Sequence, residues 1–123
     1  MGNCYKFVNS PKVSWSEAHS LCADLGGTLA YLDSWIEIYW LRGYRDTYSN
    51  LQNRHWIGGY RTGGKWVWQG KTSNRAITIT DWYSGEPNGG DTKECLEILG
   101  SAHNYRWNDA KCHIENSFIC EKN

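Results

Sequence analysis

The chain lacks most of the features that would settle its class early. No apolar run approaches the ~20 residues a membrane-spanning helix needs. Basic and acidic residues balance at 13 each, so there is neither a cationic stripe for nucleic acid nor an acidic tail. There is no His-Glu-x-x-His, no phosphate-cradling glycine loop, and no nucleophile paired with a base in a supporting motif. His19, His55, His103 and His113 are scattered and read as structural or exposed residues. An enzyme is therefore not expected. Internal repeats, low-complexity tracts and linkers are also missing. The start, Met1–Gly2–Asn3–Cys4, has no charged opening followed by an apolar signal segment. The expected account is a mature domain given a start codon, or a fragment of a longer chain, with cytosolic residence as the alternative.

What is present is a single domain over residues 1–123, long enough for a real core. Eight Trp and eight Tyr imply a core built from large flat groups, with some left over for ligand contact. Five cysteines fit neither zinc spacing nor a Cys-x-x-Cys redox motif. Disulfides in an oxidising, extracellular setting are expected instead. With four paired cysteines, three pairings remain open from the sequence alone.

The most informative stretch is Glu86–Pro87–Asn88–Gly89–Gly90–Asp91–Thr92–Lys93–Glu94–Cys95, answered by Trp107–Asn108–Asp109 before Cys112. Glu86, Asn88, Glu94, Asn108 and Asp109 offer only oxygen donors. Calcium takes six to eight such oxygens in a flexible cage, whereas zinc wants imidazole or thiolate. Gly89 and Gly90 let the chain turn between donors. Pro87 spaces Glu86 from Asn88, and an X–Pro bond in such a turn is open to the cis form. The plain alternative is a polar surface loop.

Patterning gives the elements. Tyr5–Val8 reads as a strand. Ser14–Trp15–Ser16–Glu17 is a capping box opening a helix with Trp15, Ala18, Leu21, Cys22 and Leu25 on one face, closed by Gly26–Gly27. Thr28–Tyr31 has strand character. Ser34–Trp35–Ile36–Glu37 is a second capping box, opening a helix that turns Trp35, Ile38 and Leu41 inward and stops near Gly43, before a polar connection over 44–54. His55–Gly59 and Lys65–Trp68 suit a hairpin. Cys95–Leu99 alternates as a strand, Arg106–Asn108 is another short one, and Phe118–Lys122 closes the chain. The region 69–94 has no sustained pattern, yet its Trp82, Tyr83 and turn residues argue for order. Segregated helices and strands make this an α+β fold.

Trp56–Ile57–Gly58–Gly59, the Glu86–Pro87–Asn88 tripeptide, Trp107–Asn108–Asp109, and Cys22, Cys95, Cys112 and Cys120 occur in an order that resembles the C-type lectin-like domain. The resemblance covers nearly the whole chain and implies a disulfide-stapled fold with two helices, small antiparallel sheets and a long binding loop. It implies the pairs Cys22–Cys120 and Cys95–Cys112. In the chain-entropy model the outer bridge, spanning about 100 positions, stabilises by roughly 4–5 kcal/mol, and the inner, about 17, by roughly 3. Cys4 is left over. It matches a position that pairs with an upstream residue in longer relatives; otherwise it links two chains as a homodimer or stays a free thiol.

The resemblance also implies one calcium per chain, held by Glu86, Asn88, Glu94, Asn108 and Asp109, with two coordination positions left for vicinal hydroxyls of a sugar. Glu86, Asn88, Glu94 and Asn108 would each touch both ion and sugar. The order Glu–Pro–Asn implies mannose-type ligands (mannose, N-acetylglucosamine, fucose). Relatives with Gln–Pro–Asp reverse donor and acceptor and prefer galactose. Tyr105 and His103 are candidates for an aromatic contact that would override the tripeptide in favour of galactose, or else are surface residues of a turn. A Trp at position 82 is expected to pack under the loop.

One departure stands out. The family's third carboxylate belongs two residues before the cysteine, where this chain has Lys93. Glu94, directly before Cys95, needs a bulge to reach the ion; Asp91 is the substitute; otherwise Lys93 weakens the cage. Tyr60–Gly64 carries no carboxylate for a second, structural calcium. The rival reading is a lectin-like domain that binds protein or another surface without sugar. A secreted recognition or innate-defence role follows from the resemblance alone, with avidity from oligomers.

Overall fold

A computed structural model describes residues 4–122. The order of elements is β1 (Cys4–Val13), α1 (Trp15–Asp24), β2 (Thr28–Leu29), α2 (Trp35–Thr47), β3 (His55–Thr62), β4 (Lys65–Trp68), β5 (Arg75–Ala76), β6 (Cys95–Ile98), β7 (Trp107–Ala110) and β8 (Asn116–Lys122). The first and last strands pair: β1 runs antiparallel to β8, with Cys4 opposite Lys122. β8 in turn lies parallel to β3, which continues antiparallel into the β3–β4 hairpin. β6 branches from β3 and carries β7. The α+β class and both disulfides, Cys22–Cys120 and Cys95–Cys112, are as the sequence and the resemblance implied.

Strand alternation splits the interior in two. On the α1 side, Trp15, Ala18 and Cys22 pack on Trp56, Cys95 and Phe118. On the α2 side, Ile38 and Leu41 pack on Ile57, Leu96, Ile98 and Trp107. The two indole N–H groups most deeply committed to the α1 side are satisfied by backbone: Trp15 Nε1 donates to Ile57 O at 2.9 Å, and Trp56 Nε1 to Val13 O at 3.0 Å. Gly59 is glycine because a Cβ there would lie 2.5 Å from Leu96 Cδ2, so the β3–β6 contact admits no side chain.

Ser14 forms the complete capping box with Glu17. At α2 the second box is half formed: Ser34 Oγ accepts from the Glu37 amide at 3.2 Å, while the Glu37 carboxylate accepts from the Ser34 hydroxyl at 3.2 Å instead of reaching the Ser34 backbone. Several expected details differ. Leu21 and Leu25 are 38% and 48% exposed, because the buried face of α1 narrows to Trp15, Ala18 and Cys22. Trp35 is 45% exposed and stacks on Tyr39, one turn on along the helix surface. Nor does α2 stop at Gly43. It continues because Arg45, in its last turn, is fully buried and anchored. The Arg45 guanidinium donates to Leu51 O at 3.0 Å and Asn53 O at 2.5 Å, and lies 4.9 Å from the centre of the Tyr105 ring. Tertiary bonding here outweighs the cost of a mid-helix glycine, about 1 kcal/mol. His55, also buried, is kept neutral: burial first, then the Arg45 charge, lowers its pKa to about 3.

Candidate functional site

Indoles hold the long segment between β4 and β6. Trp82 sits edge-on to Trp66 at 5.0 Å and to Trp107 at 5.9 Å, and Trp107 meets Trp68 at 5.6 Å. Trp82 thus packs under the loop. Backbone bonds continue the attachment: Trp107 N–H donates to Asp81 O, Tyr83 N–H to Trp107 O, and Glu86 N–H to Tyr83 O. The Glu86–Pro87 bond is cis. The loop is therefore tied to β7 immediately before the tripeptide.

Asp109, at 1% exposure, is the fixed point. Its Oδ2 accepts from the Asn88 N–H at 3.1 Å and from the Gly89 N–H at 2.7 Å. The two separated polar segments therefore meet through one buried carboxylate. β7 is paired to β6, and the Cys95–Cys112 bridge closes the end of that pair.

Glu86 lies against Asp109. Burial and then the neighbouring Asp109 carboxyl raise the Glu86 pKa above its ordinary value, while Lys93 opposes the rise. Glu86 Oε1 is buried with no hydrogen-bond partner. Two adjacent carboxylates and an orphaned oxygen are what a hard cation relieves. The Asn88 amide nitrogen points to Glu86 Oε2 at 3.5 Å, and its carbonyl Oδ1 accepts from the Lys93 ammonium at 3.2 Å. Glu86, Asn88 and Asp109 thus fit calcium chemically, with a lysine ammonium already placed on the cluster.

Asn108 is joined indirectly. Its amide nitrogen donates to Glu97 Oε2 at 2.7 Å. Glu97 is 1% exposed and also accepts from Arg54 at 3.1 Å and Asn116 at 3.0 Å. A carboxylate can only accept, so it binds the amino end of Asn108 and leaves the carbonyl oxygen turned away from it. Sequence reasoning missed Glu97. In Cys95–Leu99 it reads as the polar, outward member of an alternating strand. The hint was a carboxylate across the β6–β7 pair from Asn108, its register partner.

The other expected ligands are not gathered. Glu94 is exposed, and it is its backbone carbonyl that is engaged, accepting from the Arg61 N–H at 2.8 Å. The Asp91 side chain, 92% exposed, pairs with Arg61 at 2.5 Å. Among the described residues no three His, Cys, Asp or Glu groups converge as a metal centre. Tyr105 is 7% exposed, and its hydroxyl donates to Asp46 at 2.7 Å. Burial, then Asp46, raises its pKa to about 12. Its ring faces Arg45 in the interior and is not available to stack on a ligand, which corrects the expectation of a surface aromatic. His103 is half-buried, edge-on to Tyr83 at 5.0 Å rather than joined to the oxygen cluster. Cys4 is an exposed free thiol.

Fold and site together define a disulfide-stapled α+β binding domain whose long loop presents an oxygen cluster. The profile described as Lectin C-type domain matches residues 11–122, and the chain belongs to that family. It is 35% identical to perlucin of Haliotis laevigata over 123 residues, covering 98% of this chain and 76% of perlucin. It is 30% identical to C-type lectin domain family 4 member M of Nomascus concolor, covering 98% of this chain but 29% of that longer protein. Among solved structures, a mouse scavenger receptor C-type lectin carbohydrate-recognition domain superposes with TM-score 0.82 at 25% identity, covering 99% of this chain and 91% of that one. A Ca2+-dependent type II antifreeze protein, in its Ca2+-free form, superposes with TM-score 0.81 at 26% identity, covering 99% and 93%. At family level this is a class of carbohydrate-binding proteins rather than enzymes. No helix among the described residues is long and apolar enough to cross a membrane.

Proposed function

We propose that this chain is a calcium-dependent lectin for mannose-type sugars, taking one calcium per chain. The observation that carries the reading is the meeting of Glu86, Asn88 and Asp109 around an orphaned carboxylate oxygen. Bound there, calcium would supply a Lewis-acidic centre that holds vicinal hydroxyls. The chain's own residues do the rest. Glu86 accepts a hydrogen bond from one hydroxyl; the Asn88 amide nitrogen donates to the other. Asn108, turned by Glu97, presents its carbonyl oxygen. Asp109 holds the loop backbone. Charge-assisted bonds to such carboxylates are short and strong, which helps a sugar compete with water. Glu94 enters this set only if the loop rearranges.

The Glu86–Asn88 order favours two equatorial hydroxyls, hence mannose, N-acetylglucosamine or fucose over galactose. The galactose-type alternative loses Tyr105 as its stacking surface. Secretion fits two disulfides in so small a domain, and a homodimer through Cys4 would supply avidity. Retention on mannose-agarose, released by EDTA and weaker on galactose-agarose, is the expected result.

The second reading is a lectin-like domain that binds protein or another surface without sugar. Lys93, on the cluster where a third carboxylate is expected, is the observation in its favour. Retention that ignores EDTA, or none on either sugar, would point to it.

A further inference from the structure

The oxygen cluster carries its own cation. Residues 90–92 form a tight helical turn, closed by the Thr92 N–H and hydroxyl, which donate to Gly89 O at 2.9 and 2.7 Å. That turn brings the next side chain, Lys93, back across Gly89. A Cβ on Gly89 would lie 2.3, 2.4 and 2.6 Å from Lys93 Cβ, Cγ and Cδ. Only glycine leaves room for the lysine stem in this position, so the stem is packed along the loop rather than extended into solvent. Its ammonium reaches Asn88 Oδ1 at 3.2 Å, and the other end of the same carboxamide points to Glu86 Oε2 at 3.5 Å. Asn88 and Gly89 are in turn clasped by Asp109. Lysine, carboxamide and the two carboxylates form one connected unit.

We propose that Lys93, held on Asn88 Oδ1, is the resident cation of the Glu86–Asn88–Asp109 cluster, and that calcium enters only by displacing its ammonium. This rests on the calcium reading above and adds its regulation. An ammonium and a calcium ion repel each other at the few-ångström separation the cluster would impose, even where solvent screens them. The tethered charge keeps the loop folded without metal. It also raises the calcium concentration at which the site fills, because metal binding must break the Lys93–Asn88 bond. Lysine is suited to this, being a point charge on a flexible stem that can swing to solvent.

The test compares the parent chain with Lys93→Met, which keeps the stem over Gly89 and removes the charge, and Lys93→Arg, which keeps the charge. Calcium is titrated by calorimetry, and melting is followed in EDTA. The Met variant is expected to bind calcium about tenfold tighter than the parent and to melt lower in EDTA, with the Arg variant close to the parent on both. Uptake by the Met variant alone would also support the inference. A parent that binds calcium while the Met variant binds no tighter overturns the inference and leaves the calcium reading standing. Uptake by none of the three overturns both.

Discussion

The Asn108 amide nitrogen lies 2.7 Å from Glu97 Oε2, so a fully buried carboxylate decides which way a loop-facing carboxamide points. The same carboxylate neutralises Arg54 and anchors Asn116, which ties β6, β7, β8 and the segment before β3 at one point. Glu97→Gln breaks this balance, since its amide meets donors on three sides. A loss of about 1–3 kcal/mol in urea unfolding is expected. An unchanged midpoint would mean that the three donors find other partners.

Asp109 joins the two halves of the site by accepting two backbone N–H groups. Asp109→Asn puts an amino group, or a single carbonyl, where two acceptor oxygens stood. Amide hydrogen exchange at Asn88 and Gly89 should speed up by at least about tenfold, the factor corresponding to 1.4 kcal/mol of lost local protection. Calcium uptake should weaken in parallel. Unchanged protection at both amides would show that the loop is held by its indoles alone.

Among the acidic residues of the loop, Glu86 faces Asp109, whereas Glu94 and Asp91 are turned to solvent and to Arg61. In calcium calorimetry, Glu86→Gln should abolish or strongly weaken binding. Glu94→Gln and Asp91→Asn should each stay within about threefold of the parent, the range of exposed charges. A large loss at Glu94 would instead mean that the strand end bulges to bring it in when metal is bound.

A pH effect on stability resides in Glu121, 2% exposed on β8. Burial raises its pKa from 4.5 to about 7, opposed by the bond from the Tyr31 N–H and reinforced by Glu37 and Asp33. The native state therefore keeps this proton after the unfolded chain has released it. The stabilisation is complete below about pH 4.5 and is lost as pH climbs towards 7, a fall of roughly 2 kcal/mol once partial screening is allowed for. Urea unfolding of the parent and Glu121→Gln at both ends of that range checks this. The variant should lack the decline; parallel pH profiles for the two would remove Glu121 as the source.

Legibility in the sequence followed the range of the interaction. The Ser14–Glu17 capping box joins residues only three positions apart and was readable in full. The end of α2 was not, because what prolongs it past Gly43 is Arg45 bonding to carbonyls on a later turn and packing on Tyr105. Tyr105 illustrates the same point from the other side: in a polar turn it reads as a surface ring, and only the folded chain buries it. For the site, Glu86, Asn88 and Asp109 could be named from donor chemistry. Lys93 could be flagged as out of place, but not seen to lie on the cluster.

What the sequence by itself determined is the donor chemistry and the covalent frame: oxygen-bearing side chains in two segments, flanked by cysteines with a family order that implied their pairing. Those are properties of residue identity and spacing. Which carboxylates converge, which carboxamide end faces the loop, and where an ammonium comes to rest were decided only by tertiary structure. The first two depend on through-space distances between segments brought together by strand pairing, and the third on how the 90–92 turn folds Lys93 back over Gly89.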